Sequence, residues 1–184
     1  MVQDPQWFCE LALPASVKSL RYVQSLLRMY DVDTVQLQVS HISALNNLSE
    51  YYQITYLCHA SQEALKQCSR KVNGEPPKTT SNPEELIASP EVDVLLICAA
   101  NAFHASHAIL ALQQHKYVLL EKPAALNYRD IDAMILAEKK SRGKVFVGYQ
   151  RRYAEAFLDA VKEVGGMGKI QYARVRGMMI IFFM

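Results

Sequence analysis

Apolar positions fall along this chain in two ways: short unbroken runs, and longer stretches in which they recur at helical intervals between polar residues. The runs Ile54-Thr55-Tyr56-Leu57-Cys58, Val94 to Cys98, Tyr117 to Leu120 and Val145 to Tyr149 predict strands. Val94 to Cys98 and Tyr117 to Leu120 are apolar throughout rather than alternating, as in parallel strands covered on both faces. Helices are predicted between them. Ser61 caps one that runs to about Lys71, with Glu63 in its first turn. Asn82-Pro83-Glu84-Glu85 joins a cap, a first-turn proline and an acid three residues past the cap. A third helix links Val94–Cys98 to Tyr117. A fourth covers Tyr128 to Arg142, with an apolar face of Ile131, Met134, Ile135 and Ala137 and an end marked by Gly143. A fifth covers Ala154 to Val164 and stops at Gly165-Gly166. Lys71 to Ser81, with Gly74, Pro76 and Pro77, reads as a loop. Strands alternating with helices at this spacing predict an α/β fold, a doubly wound parallel sheet.

The two ends follow the pattern less closely. Val35, Val39, Ile42, Leu45 and Leu48 predict a helix up to Tyr52; Val35, Leu37 and Val39 alone would alternate like a strand, but the longer period favours helix. Ahead of it, Val17, Leu20, Val23, Leu27 and Tyr30 form one face of an amphipathic helix after a Pro14-Ala15-Ser16 start. Lys169 to Arg176 alternates like a strand. The apolar Met178 to Met184 is far short of the ~20 residues that a membrane crossing needs.

Composition excludes more than it selects. With 184 residues, 51% of them hydrophobic, the chain has room for one domain and the start of another. A net charge of +2 without a dense basic run gives no electrostatic case for nucleic acid, and Arg151-Arg152 is an isolated pair. Cys9, Cys58, Cys68 and Cys98 show no C-x-x-C spacing, so no metal site is expected and reduced thiols are the simplest account. The N-terminus has Asp4 and Pro5 where a secretory signal would have basic residues and an apolar run. A soluble, cytoplasmic protein is expected.

Candidate chemistry concentrates between Val92 and Pro123. The strand Tyr117–Leu120 ends on Glu121-Lys122-Pro123, and ligands of open α/β sheets bind outside the carboxyl ends of strands. The preceding strand is followed by Asn101 and His104. A strand, an N-x-x-H turn and a later E-K-P in this order resemble the nucleotide-binding domain of the Gfo/Idh/MocA oxidoreductases, over a span from about Val39 to Arg176. The resemblance implies NAD or NADP as cofactor and hydride transfer to or from a carbon bearing a sugar or polyol hydroxyl. It implies Lys122 as the catalytic residue that polarises or deprotonates that hydroxyl. Glu121 would tune Lys122 or hold the cofactor ribose, Pro123 would fix the backbone, and Asn101 and His104 would line the nicotinamide end. Arg152, in Tyr149-Gln150-Arg151-Arg152-Tyr153, would anchor cofactor or substrate. The partner is then a small molecule, with a homo-oligomer left open.

Three departures from that family qualify the expectation. A dinucleotide fold opens with a strand and a G-x-G-x-x-G turn, yet no glycine precedes Gly74. Met1 to Thr34 is therefore expected to be a divergent segment that lacks the first strand, leaving its neighbours unpaired and the sheet weakened. The strand Ile54–Cys58 is followed by His59, where an acid would hold the ribose hydroxyls. His59 is compatible with NADP or with a structural role. Finally, 167–184 resembles only the start of the family's second domain. These departures set the cofactor domain at 35–166, make cofactor binding weak or lost, and raise a second reading: a non-catalytic remnant acting through partner contacts.

Overall fold

The computed structural model describes residues 20–25 and 41–169. The chain divides into two compact units, Met1–Tyr149 and Gln150–Met184. The first holds a six-stranded sheet: β1 (Leu20–Ser25), β2 (Tyr52–Cys58), β3 (Lys78–Thr80), β4 (Val94–Ile97), β5 (Tyr117–Leu120) and β6 (Val145–Val147). Between them run α1 (41–46), α2 (Gln62–Ser69), α3 (Pro83–Ala88), α4 (His104–Gln113) and α5 (Tyr128–Lys140). The strands lie in the order β3-β2-β1-β4-β5-β6, and every pairing is parallel.

The sheet is not short of its first strand. Leu20 to Ser25 is a central strand, with Leu20 opposite Tyr52 on one side and Tyr22 opposite Val94 on the other. Leu20 and Val23, expected on an amphipathic helix, are thus strand residues; Val17, Leu27, Tyr30 and Thr34 lie outside the described residues. The physical reason is non-local. Two facing rows of backbone donors and acceptors, on β2 and β4, reward any segment that can pair with both, and that outweighs a weak local helical period. The fit is imperfect, since the register with β2 shifts between Tyr22 and Val23. The expected weakening through unpaired neighbours is therefore absent.

Alternation along the strands builds one core on each face. Val94, Leu96 and Cys98 pack with Ile42, Leu45 and Leu65 from α1 and α2. Leu95, Ile97 and Ala99 pack with Leu86, Ala108 and Met134 from α3, α4 and α5. Helices on both faces of a parallel sheet explain why β4 is buried at every position.

The helix starts follow their caps. Ser61 Oγ accepts from the Ala64 amide at 3.3 Å and Asn82 Oδ1 from the Glu84 amide at 3.0 Å. Glu85, placed by sequence for a capping box, instead accepts from the Tyr56 hydroxyl at 3.1 Å and the Thr80 hydroxyl at 2.5 Å, tying α3 to β2 and β3. The stretch expected as loop between Lys71 and Ser81 contains β3, a short edge strand.

The position of β5 is set at its amino end by Lys116. This lysine is 7% exposed, and its Nζ donates to the carbonyls of Ser89 at 2.6 Å and Val92 at 2.5 Å, just past the end of α3. The helix end expected at Gly143 comes slightly earlier: α5 stops at Lys140, and Ser141 caps it in extended geometry. At Gly143 the need for glycine is proximity: a Cβ there would lie 1.9 Å from the Lys116 carbonyl oxygen.

The second unit contains a 3-10 turn (Gln150–Tyr153), helix α6 (Glu155–Glu163) and a further 3-10 turn (Met167–Lys169). Gly165 and Gly166 follow α6 with φ of +76° and +110°, as their stop signal predicts. The strand expected over Lys169 to Arg176 lies outside the described residues apart from Lys169.

Candidate functional site

The chain runs outward from β1 through β2 to β3, then returns to the other side of β1 with β4. That reversal of strand order leaves a crevice beyond the carboxyl ends of β1 and β4. Ala99, Asn101 and His104 follow β4, Glu121 to Pro123 follow β5, and His59 follows β2. The segment after β1, where a phosphate turn would lie, falls within 26–40 and outside the described residues.

Glu121 is held at the end of β5 by its backbone, whose N–H donates to Ile97 O at 2.9 Å. Its carboxylate is largely buried and fully engaged. Oε1 accepts from His41 Nε2 at 3.1 Å, with side-chain exposures of 15% for Glu121 and 8% for His41, and Oε2 accepts from the Lys122 amide at 3.2 Å. Burial alone would push the Glu121 carboxyl upward; the His41 hydrogen bond and charge, then the Lys122 amide and ammonium, outweigh it and hold the carboxyl below its ordinary value. The Cys98 thiol, buried at the end of β4, is pushed well up by burial and further by the Glu121 charge. A thiol in that state is a small apolar group and a poor nucleophile.

Lys122 is exposed, and its Nζ makes no hydrogen bond or ion pair among the described residues. The Lys122-Pro123 peptide bond is cis. Pro123 is fixed through its carbonyl, which lies 2.7 Å from His104 Nδ1, while His104 Nε2 lies 2.8 Å from the Ala99 carbonyl. Carbonyl oxygens only accept, so the neutral ring donates to one of the two and only the protonated ring to both; either way the ring lies between the end of β4 and the loop after β5. Asn101 opens a 3-10 turn (Asn101–Phe103), has an exposed side chain, and accepts at its carbonyl from the His104 amide. Of the residues singled out by sequence, Asn101 and Lys122 have exposed side chains without a hydrogen bond or ion pair among the described residues, whereas His104, Glu121 and Pro123 are tied to neighbours.

His59 is 7% exposed, and its Nδ1 accepts from the Ser61 amide at 2.9 Å. The ring thus supports the turn into α2. Arg152 belongs to the second unit, where its guanidinium stands over the Tyr153 ring at 5.8 Å from the centroid. His107, one turn beyond His104, is buried and stacked on Phe103 with centroids 5.7 Å apart, and its Nδ1 has no hydrogen-bond partner among the described residues. Burial, then the neighbouring His104, lowers its pKa; Glu84 opposes them.

Sequence reasoning missed His41 and Lys116, both polar and both buried. For His41 the only local signal is its place beside the Ile42, Leu45, Leu48 stripe, where a polar residue attracts no notice.

The strand order and the crevice at the reversal define a dinucleotide-binding α/β fold. The chain belongs to the oxidoreductase family with an NAD-binding Rossmann fold, Gfo/Idh/MocA, whose model matches residues 35–149. A myo-inositol 2-dehydrogenase of Thermotoga maritima is 34% identical over 116 residues, covering 62% of this chain and 34% of that protein. An inositol 2-dehydrogenase of Salmonella typhimurium is 37% identical over 87 residues, 47% of this chain and 26% of that protein. Among solved structures, the myo-inositol dehydrogenase of Lactobacillus casei, in complex with NAD(H) and myo-inositol, superposes with a TM-score of 0.66 at 20% identity, over 79% of this chain and 40% of that one. The chain spans about a third of the length of the first of these relatives. No helix among the described residues is long and apolar enough to cross a membrane.

NAD is the cofactor of this family, and the described residues fit it unevenly. After β4 and β5, Asn101 and Lys122 offer exposed polar side chains. At the end of β2 the buried His59 offers no carboxylate to a ribose.

Proposed function

We propose that this chain is the cofactor domain of an oxidoreductase acting on the CH–OH group of a sugar or polyol, with Lys122 handling the hydroxyl proton. One observation supports it above others: at the carboxyl end of β5 a single exposed, uncommitted ammonium stands between two residues that are themselves tied down. NAD, when bound, supplies the hydride acceptor. The chain's own part is to hold the Lys122 amino group against the hydroxyl: as the neutral amine it takes the hydroxyl proton and becomes the ammonium, and in the reverse direction the ammonium returns that proton to the oxygen. Asn101 would line the nicotinamide end, and Glu121 would act through Lys122. Arg152 would serve as an anchor for cofactor or substrate. The polyol class is supported by the names of the relatives, which act on inositol.

A second reading, a non-catalytic chain with weak or no nucleotide binding, is favoured by two observations: no glycine precedes Gly74, and His59 replaces the ribose acid. Each charge-assisted hydrogen bond lost from a pyrophosphate costs roughly 1.5–3 kcal/mol, so three would take a micromolar site beyond millimolar. Calorimetric titration with NAD and NADP, followed by an assay of NADH formation with myo-inositol after fusion to the second domain of the Thermotoga relative, separates the readings. Saturable binding, with turnover that falls ~10²–10⁴-fold in Lys122→Ala, supports the catalytic reading. No binding at millimolar cofactor supports the second, and a Lys122→Ala loss below about tenfold removes Lys122 from the chemistry.

A further inference from the structure

We propose that His41 is the positioning residue of this site, acting through Glu121 to set where Lys122 stands; its catalytic meaning rests on the reading of Lys122 given above. The carboxylate of Glu121 is a bridge with two ends. One oxygen takes the His41 Nε2 proton at 3.1 Å, and the other takes the Lys122 amide at 3.2 Å. Both side chains of the pair are largely shielded from water, which strengthens the bond between them. With one oxygen fixed by α1, the carboxylate plane is fixed, and with it the direction from which the Lys122 amide is held.

On the far side of Lys122 the Pro123 carbonyl is held by His104, from α4. Helices α1 and α4 pack on opposite faces of the sheet, so Lys122 hangs between two imidazoles anchored in two separate cores. A lysine side chain is flexible, but here the backbone that carries it has a clamp on each side. Among the described residues, the charged and titratable groups facing the Glu121 carboxylate are His41, Lys122 and the neutral Cys98 thiol. His104 has backbone partners for both nitrogens, which leaves His41 as the imidazole that reaches the carboxylate.

The test is carbon-detected NMR of the Glu121 side-chain carboxyl across the acid range, together with the Lys122 amide, in the complete chain and in His41→Ala and His41→Gln. Glutamine keeps an N–H donor near the position of Nε2. His41→Ala should raise the Glu121 midpoint by about one unit, the size of one lost hydrogen bond to a charged group, and shift the Lys122 amide. His41→Gln should recover at least half of both changes. Unchanged Glu121 and Lys122 signals in His41→Ala would overturn the proposal, and so would equal changes in the two variants, which would show packing alone. If His41→Ala does not fold, the wild-type chain still decides: the His41 ring nitrogens must respond in step with the Glu121 carboxyl, and a silent ring refutes the link. None of these signals depends on cofactor, so failure of NAD binding would strike the proposed function and leave this inference standing.

Discussion

Replacing Gly143 with alanine tests the packing between the turn before β6 and the start of β5. The added Cβ would stand 1.9 Å from the Lys116 carbonyl oxygen and 2.6 Å from its carbonyl carbon, both backbone atoms. Reaching the shortest ordinary contact, 3.4 Å, requires the two segments to part by about 1.5 Å. Lys116 cannot give way freely, because its Nζ is anchored to Ser89 and Val92 at 2.6 and 2.5 Å, and the β5 backbone beyond it is in register with β4 on one side and β6 on the other. Overpacking of a tight interior usually costs about 1–3 kcal/mol, and a backbone obstacle with no rotamer to swing aside belongs at the upper end. We expect a loss of about 3 kcal/mol, equivalent to a Tm lower by about 6–12 °C at the ~2–4 °C per kcal/mol of a domain this size. Urea unfolding followed by circular dichroism measures it, provided the m-value is unchanged. A loss below about 1 kcal/mol would show that the turn simply moves aside and that glycine is not required there.

Two further outcomes are expected. Lys116→Met keeps the apolar stem but takes the Nζ donor from the buried Val92 carbonyl, while the Ser89 carbonyl keeps the Val92 amide at 3.3 Å, and should cost about 1–3 kcal/mol in the same unfolding assay; a neutral result would mean that water reaches the Val92 carbonyl. For Glu121 the folded carboxyl titrates below the ordinary 4.5, so its contribution to stability is complete above that value and disappears as pH falls through the lower, folded one. Glu121→Gln should therefore be less stable than wild type at neutral pH, with the gap closing as the pH falls below about 4.5; a gap independent of pH would disprove the charged bridge.

Runs that are apolar for a purely local reason were legible. Val94 to Cys98 and Tyr117 to Leu120 announce β4 and β5 because a strand covered on both faces must be apolar at each position. Caps such as Ser61 and Asn82 were legible because their partners lie within three residues. What was hidden depends on distant chain. Leu20 to Ser25 is a strand because β2 and β4 flank it, and its own six residues mix polar and apolar without a clear period. Gly143 looked like a helix stop, but the atom it must avoid belongs to Lys116. The His41–Glu121 pair joins residues 80 positions apart, so no spacing rule could have reported it. Lys122 could be located from sequence; the arrangement that holds it could not.

The central place of β1 also bears on how the molecule assembles. The two halves of the sheet, β3-β2 and β4-β5-β6, are continuous only through it. Yet β1 is made before β4 and must wait for it, with Val94 pairing with Tyr22, before its second edge is covered. Parallel pairing across such a separation is slow because the intervening loop must close first. During that interval β1 and β2 expose an unpaired edge to other nascent chains, the state in which domains of this size are most open to aggregation.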